Sequence, residues 1–275
     1  MALLSNTGIR AGASQPVVDV VPAIKSIRLN NSDASYFKRT TGSGNRKTWS
    51  FSCWVKRVGL GGYDYLFAQG PDGGTSGNWF LAGWQTDDTF WIGQQTGGGY
   101  NLQYQTNKRF RDPHAWYHIL IAVDTTQSTA SNRLRLYING TEETSFSTET
   151  DPSEDADTWV GATSTCPVMY VGRQPDGHSL DGYISNVQFV DGVQLTPSNV
   201  TETDSTTGQL VAKTYSGSYG TNGFWLKFED TSGNTAATIG VDSSGNDNNY
   251  TPLNQQAGVR GGLTAVAEAD GGLPF

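Results

Sequence analysis

The sequence is poor in charged residues and in cysteine. Charged side chains make up 16% of the 275 residues, and the two cysteines are Cys53 and Cys166. So few cysteines imply no disulfide scaffold. Each cysteine lies in or beside a strand-like run, which predicts two free buried thiols, with a single bridge as the alternative.

Basic side chains and long hydrophobic runs are also scarce. The chain has 18 Lys and Arg against 26 Asp and Glu, a net charge of -8, whereas nucleic-acid binding needs clustered cations that displace counterions from phosphates. No segment approaches the roughly 18 apolar residues of a membrane span. The first residues also lack a basic leader followed by an apolar stretch. We expect no nucleic-acid partner, no membrane insertion and no signal peptide.

Glycine, aromatic residues and short alternating runs are plentiful. The chain has 34 glycines and 11% aromatic residues. From Ile27 onward, short apolar runs recur roughly every ten residues, and each is closed by Gly, Asn, Asp or Pro. No stretch has the periodicity of an amphipathic helix. This pattern predicts an all-β protein.

Two of these runs predict strands that differ in burial. In residues 49–56, Phe51, Cys53 and Val55 fall at alternate positions and should share one face of a strand. Residues 116–123 are nearly all apolar. A run of that kind is typical of a central strand buried on both faces.

Further local signals predict a turn, a bulge and a loop. Asn139-Gly140 follows an alternating run and predicts a tight hairpin turn, because both residues tolerate positive φ. Imperfect alternation in residues 182–190 predicts a bulge near Ser185 and Asn186. Residues 142–157 contain seven acidic residues in sixteen, which predicts a solvated loop.

Four runs resemble, in order and spacing, the landmark strands of laminin-G-like (concanavalin A-like) domains. They are Trp-Ser-Phe-Ser-Cys-Trp-Val-Lys (49–56), Trp-Tyr-His-Ile (116–119), Leu-Tyr-Ile-Asn-Gly (136–140) and Leu-Asp-Gly-Tyr-Ile-Ser-Asn-Val-Gln-Phe (180–189). The resemblance extends from about Ile27 to Leu195. It implies an antiparallel two-sheet jelly-roll sandwich with extended N- and C-terminal arms.

A second piece is similar to the opening hairpin of such domains but lies near the C-terminus, at residues 223–230 and 241–249. The remaining chain, about 50 residues, is too short for an independent sandwich, so we expect this piece to complete the sheet in a permuted order. The predicted organisation is an extended arm at 1–24, a sandwich at 25–253 completed by residues 222–251, and a flexible tail at 254–275.

Three segments, 6–14, 196–199 and 202–209, look like those of laminin-G-like proteins in marine (cyano)phages. The resemblance implies a structural protein on the virion surface, of the head-decoration, head-fibre or tail-fibre type, made in the host cytoplasm. Its partners would be capsid or tail proteins and symmetry mates, which a flexible arm can contact by adding strands. The arm residues expected to make these contacts are Ile9, Arg10, Val17 and Val18.

Catalysis is not expected. A glycoside hydrolase needs two carboxylates about 5 to 10 Å apart across the scissile bond, and the nearest candidates, Glu154, Asp155 and Asp157, have the wrong spacing for one strand. His114 and His118 are four residues apart on a predicted strand, where they would not converge on a metal. A stand-alone carbohydrate-binding adhesin is the first alternative to the virion protein, and a glycoside hydrolase is the second.

The resemblance also implies a calcium ion near the rim of the sandwich. The loop 242–249 supplies oxygen ligands, with Asp242, Asn246 and Asp247 as candidates. The same composition forms Asx turns for local hydrogen-bonding reasons, and Ser185 occupies a position that is often acidic in the family. Ca²⁺ is the one cofactor that the sequence suggests.

Aromatic and amide residues between positions 78 and 95 suggest glycan binding. Exposed rings stack on sugar faces, and amides bind the hydroxyls. The candidate contacts to a host-surface polysaccharide are Trp79, Trp84, Trp91 and Gln94. For each tryptophan the alternative is a place in the hydrophobic core.

Overall fold

The computed structural model describes residues 25–74, 77–230 and 232–255. The predicted arm residues Ile9, Arg10, Val17 and Val18, and positions 256–275 of the predicted tail, lie outside these residues. The strands are β1 (Ser26–Leu29), β2 (Tyr36–Thr40), β3 (Thr48–Arg57), β4 (Asp64–Gly70), β5 (Trp79–Trp84), β6 (Thr89–Thr96), β7 (Gly99–Arg109), β8 (Tyr117–Asp124), β9 (Leu134–Ile138), β10 (Thr141–Glu142), β11 (Phe146–Thr150), β12 (Val168–Val171), β13 (Gly182–Asp191), β14 (Thr201–Thr203), β15 (Leu210–Ala212), β16 (Phe224–Leu226) and β17 (Thr251–Leu253). The helices are α1 (Pro197–Val200) and two 3₁₀ turns, Asn31–Asp33 and Ala130–Asn132.

Two large antiparallel sheets face each other. The seven-stranded sheet has the order β1-β13-β3-β8-β9-β10, with β16 also paired to β13. The eight-stranded sheet has the order β11-β7-β6-β5-β4-β12-β2-β17. A separate hairpin joins β14 and β15. The predicted all-β, two-sheet jelly-roll sandwich is confirmed.

The core lies between the two sheets and is rich in aromatic rings. Phe51 of β3 stacks on Phe67 of β4 with ring centroids 4.4 Å apart, and Trp49 meets Phe80 edge-on at 5.0 Å. All four side chains are fully buried. Each such burial stabilises the fold by about 1.5–3 kcal/mol, so these inter-sheet contacts fix how the sheets stack.

The local sequence signals correspond to observed elements. β8 lies between β3 and β9, and residues 118–123 of it are all buried. Asn139 and Gly140 have φ of 50° and 76° in the turn before β10. The register of β13 against β3 shifts between Ser185 and Gln188, which is the predicted bulge. The two cysteines, Cys53 and Cys166, are free and buried, as predicted.

The acidic segment 142–157 is not entirely a loop. Phe146–Thr150 forms β11, which pairs with β7 at one edge of the eight-stranded sheet. Phe146 packs against Tyr104 with ring centroids 5.2 Å apart. The prediction of a solvated loop is wrong for these residues, because an edge strand tolerates charge on its outer side when one apolar side chain anchors it.

The C-terminal segment joins both sheets. β16 pairs with β13 in the seven-stranded sheet, and β17 pairs with β2 in the eight-stranded sheet. Between them, Tyr250 is fully buried with its ring 4.6 Å from that of Phe224. Phe224, Leu226 and Tyr250 of this segment therefore share one hydrophobic core with the preceding strands.

His118 on β8 is a fully buried histidine. Its Nε2 lies 2.9 Å from Ser52 Oγ, and its ring packs 5.0 Å from that of Trp54. Burial lowers the pKa of His118 to about 3, because the charged form would lose its hydration. The folded protein therefore holds this imidazole neutral.

We expect the free energy of unfolding to fall as the pH decreases from about 6.5 towards 3, because the unfolded chain binds a proton at His118 that the folded chain does not. Within that window, His118 lowers the free energy of unfolding by about 1.4 kcal/mol for each pH unit of acidification. Above about pH 6.5, it no longer makes the free energy of unfolding depend on pH. Urea unfolding from about pH 7 to about pH 4 measures it. In His118→Gln the free energy of unfolding should depend less steeply on pH, whereas the exposed-site control His114→Gln should match the unsubstituted protein. Equal pH dependence in all three proteins would show that His118 is not the cause.

Candidate functional site

The outer face of the eight-stranded sheet carries a groove of about 390 Å³. Strands β4 to β7 form its floor. The loop between β3 and β4 and the loop between β12 and β13 border it on one side. A volume of this size lies within the range of small-molecule pockets in proteins.

Strand register places one row of side chains across the floor. Tyr65 on β4 pairs with Gly83 on β5, Gly83 with Trp91 on β6, and Trp91 with Gln105 on β7. Paired residues on neighbouring strands point to the same face of a sheet. Gly83 has no side chain, and a Cβ atom there would lie 3.0 Å from Tyr65 Cδ1, so the Tyr65 ring lies against this glycine on the floor of the groove.

A glycine lets the indole of Trp91 lie along the sheet. Gly93 follows Trp91 by two positions on the same face of β6, and a Cβ atom there would lie 2.2 Å from both Cη2 and Cζ2 of Trp91. The indole therefore covers Gly93. Any larger residue at this position would push the ring up from the floor.

Three rings form one side of the groove, here called the tryptophan wall: Trp79, Trp91 and Tyr100. Trp79 lies 5.9 Å from Trp91, and Tyr100 lies 5.8 Å from each of them. Edge-to-face contacts at these distances are favourable. Trp91 is 5% exposed and Tyr100 is 48% exposed, so Tyr100 and the half-buried Trp79 provide the accessible aromatic surface.

Three further rings form the opposite side, the tyrosine wall: Tyr63, Tyr65 and His178. Tyr63 and Tyr65 are nearly parallel, with centroids 6.4 Å apart, and His178 lies 5.2 Å from Tyr63. Burial raises the pKa of Tyr65 to about 12. Its hydroxyl is therefore a neutral donor at physiological pH.

The polar side chains that line the groove are mostly neutral amides. Gln85, Gln103, Gln105 and Gln174 line the groove, together with the carboxylate of Asp176. Gln105 donates from Nε2 to Thr89 Oγ1 at 2.9 Å, which orients its amide. Amides that both donate and accept are suited to hydroxyl groups.

A buried ion cluster anchors the tyrosine side of the groove. Arg57 is fully buried and binds Asp64 at 2.9 Å and Asp88 at 3.1 Å. Burial raises the pKa of Asp64 despite this partner. Burial also acts to raise the pKa of Asp88, but hydrogen bonds from the Gly61 N–H and from Arg111 outweigh it and lower that pKa. The cluster thereby fixes both ends of the β3–β4 loop.

Comparison with known proteins identifies the family. The sequence matches the family model described as the concanavalin A-like lectin/glucanases superfamily over residues 30–201, more than half of the chain. The chain belongs to this superfamily. The predicted laminin-G-like resemblance is thus confirmed, although among curated proteins none matches the sequence.

Several solved structures are similar to this chain. A native heptameric SAP-like pentraxin from Limulus polyphemus is 15% identical, with 69% of this chain and 91% of that chain covered and a TM-score of 0.46. Domain 4 of the arabinanase AbnA from Geobacillus stearothermophilus is 20% identical, with coverage of 63% and 73% and a TM-score of 0.45. The CBM40 of the Ruminococcus gnavus IT-sialidase is 11% identical, with coverage of 62% and 92% and a TM-score of 0.43.

Of the four residues that were predicted to contact a glycan, two line the groove and two do not. Trp79 and Trp91 lie in the tryptophan wall, and their binding role stays a prediction. Trp84 is fully buried, its ring 5.1 Å from Phe90 in the core. Gln94 is 2% exposed and accepts a hydrogen bond from the Trp159 N–H at 2.7 Å. The prediction that Trp84 and Gln94 contact a glycan is wrong, because even-numbered residues of β5 and β6 face inwards.

Other groove residues were not predicted from the sequence. Gln103 and Gln105 alternate with the buried Leu102 and Tyr104 along β7, a period-two signal that was available. Tyr63 and Asp176 lie on loops. Their sequence context carries no signal that brings them to the groove.

Local hydrogen bonds hold the loop 242–249, which was predicted to bind calcium. The Asp242 carboxylate accepts from the backbone N–H groups of Trp225, Ser244 and Asn248 at 2.8 to 2.9 Å. Asn246 donates from Nδ2 to the Gly223 carbonyl at 3.0 Å. Over the described ranges, no group of three or more His, Cys, Asp or Glu is placed to hold a metal. Ca²⁺ binding by Asp242, Asn246 and Asp247 stays a prediction.

The carboxylates considered for hydrolysis lie outside the groove. Glu154 pairs with Arg133, Asp155 with Lys47, and Asp157 with Arg46. They lie in the segment that follows β11.

Among the described residues, no helix is long and apolar enough to span a membrane.

Gly93→Ala should displace the Trp91 indole towards the groove and destabilise the fold by about 1–3 kcal/mol, because the displaced ring loses its packing against Trp79 and Tyr100. Near-ultraviolet circular dichroism and urea unfolding measure the two effects. Gly62→Ala is the control, since nothing lies within 4 Å of a Cβ atom there. Unchanged aromatic dichroism in Gly93→Ala would show that the indole does not cover this glycine.

Proposed function

We propose that this chain is a non-enzymatic carbohydrate-binding module displayed on the surface of a phage particle. The observation that carries the binding part is the groove, which combines aromatic walls with amide side chains. A sugar ring offers apolar C–H faces and a rim of hydroxyls. Stacking on Tyr100 and Trp79 matches the faces, and the glutamine amides match the hydroxyls.

The charges in the groove support binding over hydrolysis. Glycoside hydrolases use two carboxylates flanking the scissile bond. Asp176 is the one Asp or Glu among the described groove residues, and it lies at the tip of a loop. Membership of a superfamily that contains lectins as well as glucanases is consistent with a binding role.

Tyr100→Ala and Trp79→Ala should each weaken glycan binding at least tenfold, about 1.4 kcal/mol, because each removes accessible stacking surface. A glycan array with the full chain identifies ligands, and calorimetry with the strongest of them measures affinity. Tyr183→Ala is the matched control, since Tyr183 lies on β13 of the other sheet. Equal affinities in all four proteins would exclude the groove as the binding site.

The virion part of the proposal is supported by sequence resemblance alone. The segments 6–14, 196–199 and 202–209 look like those of laminin-G-like phage proteins, and 196–209 forms α1 and the start of the β14–β15 hairpin. In this proposal the arm 1–24, with or without the tail 254–275, docks on capsid or tail proteins, or on symmetry mates, and leaves the groove free for host-surface polysaccharide.

Mass spectrometry of purified particles should detect this chain at a fixed copy number, and immunogold microscopy should place it on the head or the tail. The expected result is retention through density-gradient purification, because docked arms add main-chain hydrogen bonds to the assembly. A chain that binds glycans but never copurifies with particles would contradict the virion role and favour a stand-alone adhesin.

A further inference from the structure

We propose that the groove selects uncharged glycans and rejects carboxylated ones, and that Asp176 is the residue responsible. This inference rests on the proposed function, because it concerns the ligand class of the same groove. It follows from the charges that line the groove and from the way in which the Asp176 loop is held.

Among its described lining residues, the groove offers no Lys or Arg side chain to an anionic sugar. Their polar side chains include four neutral glutamines and the carboxylate of Asp176. Protein sites that recognise carboxylates use arginine or lysine in charge-assisted hydrogen bonds. Arg173, at the base of the Asp176 loop, places its guanidinium 4.7 Å from the ring centroid of Tyr36 and does not line the groove.

The loop that carries Asp176 is held in place at its base. Arg173 and Ser179 form a β-bridge, and the Gln174 N–H donates to the His178 carbonyl at 3.1 Å. Pro175 packs on Gly70 of β4 so closely that a Cβ atom on Gly70 would lie 2.6 Å from Pro175 Cγ. The position of Asp176 beside the groove is therefore set by the fold.

The Asp176 carboxylate is exposed, and its charge reaches the floor of the groove. No ion pair within the described residues neutralises it. Burial is the main cause of the raised pKa of Tyr65, and the negative charge of Asp176 adds to it. A carboxylate bound beside this loop would be repelled by Asp176, because like charges repel each other and physiological salt screens them only over roughly 8–10 Å.

The test compares pairs of sugars that differ only in charge. Methyl-esterified and de-esterified oligogalacturonides form one pair, and sialyllactose with its carboxyl group methyl-esterified and unmodified sialyllactose form another. Calorimetry with the full chain should show at least tenfold tighter binding of the neutral member of a pair. Raising the salt concentration should narrow this difference, because the repulsion is screened.

At low salt, Asp176→Asn should reduce the difference in affinity between the neutral and the carboxylated sugar of a pair. The control Glu202→Gln, on the separate β14–β15 hairpin, should leave that difference unchanged. The substitution lies at an exposed loop tip, so the melting temperature should not move. Equal or tighter binding of the carboxylated member would overturn the selectivity, and a difference in affinity that survives Asp176→Asn would overturn the role of Asp176. Either result would leave the glycan-binding function standing. Failure of every pair, with no ligand on a glycan array, would overturn both.

Discussion

The buried guanidinium of Arg57 determines how one end of the sandwich is built. A charge without access to water must be paired and hydrogen-bonded, and Arg57 meets Asp64, Asp88 and the Phe110 carbonyl. These partners belong to β4, to the turn between β5 and β6, and to the end of β7. One side chain on the seven-stranded sheet thus fixes three places on the eight-stranded sheet.

The groove depends on the same cluster. Tyr63 directly precedes Asp64, and Gln85 opens the turn that contains Asp88, so both residues stand where the ion cluster places them. The Gly61 N–H also donates to Asp88 at 2.9 Å, which ties down the middle of the β3–β4 loop. The shape of a surface feature is therefore set by a fully desolvated interaction beneath it.

Much of the fold was predictable because its signals are local. Alternation along β3, the apolar run of β8 and the Asn139-Gly140 turn each depend on neighbouring residues. The same alternation also separates Trp79 from Trp84, since residues five apart on a regular strand face opposite sides; applied strictly, it would have removed Trp84 from the candidate site. In the segment 142–157, the acidic composition predicts a loop, although Phe146 packs against Tyr104 and begins an edge strand.

The rest of the site depends on register between strands. Tyr65, Gly83 and Trp91 become neighbours only when β4, β5 and β6 pair in one alignment, which no local pattern specifies. The fit of Trp91 over Gly93 depends on a rotamer as well as on the sequence. Tyr63 and Asp176 reach the groove through loops whose paths are set by tertiary contacts, so composition alone could not place them.

Strand β2 can pair with β17 only late in the synthesis of the described residues. β2 begins at Tyr36, and its outer partner ends at Leu253, so more than two hundred residues separate two adjacent strands. On the ribosome, the hydrogen-bonding edge of β2 stays unpaired until residues 251–253 have been synthesised. Contacts so distant in sequence slow folding, and until translation reaches β17 this edge is open to the same strand in a neighbouring nascent chain.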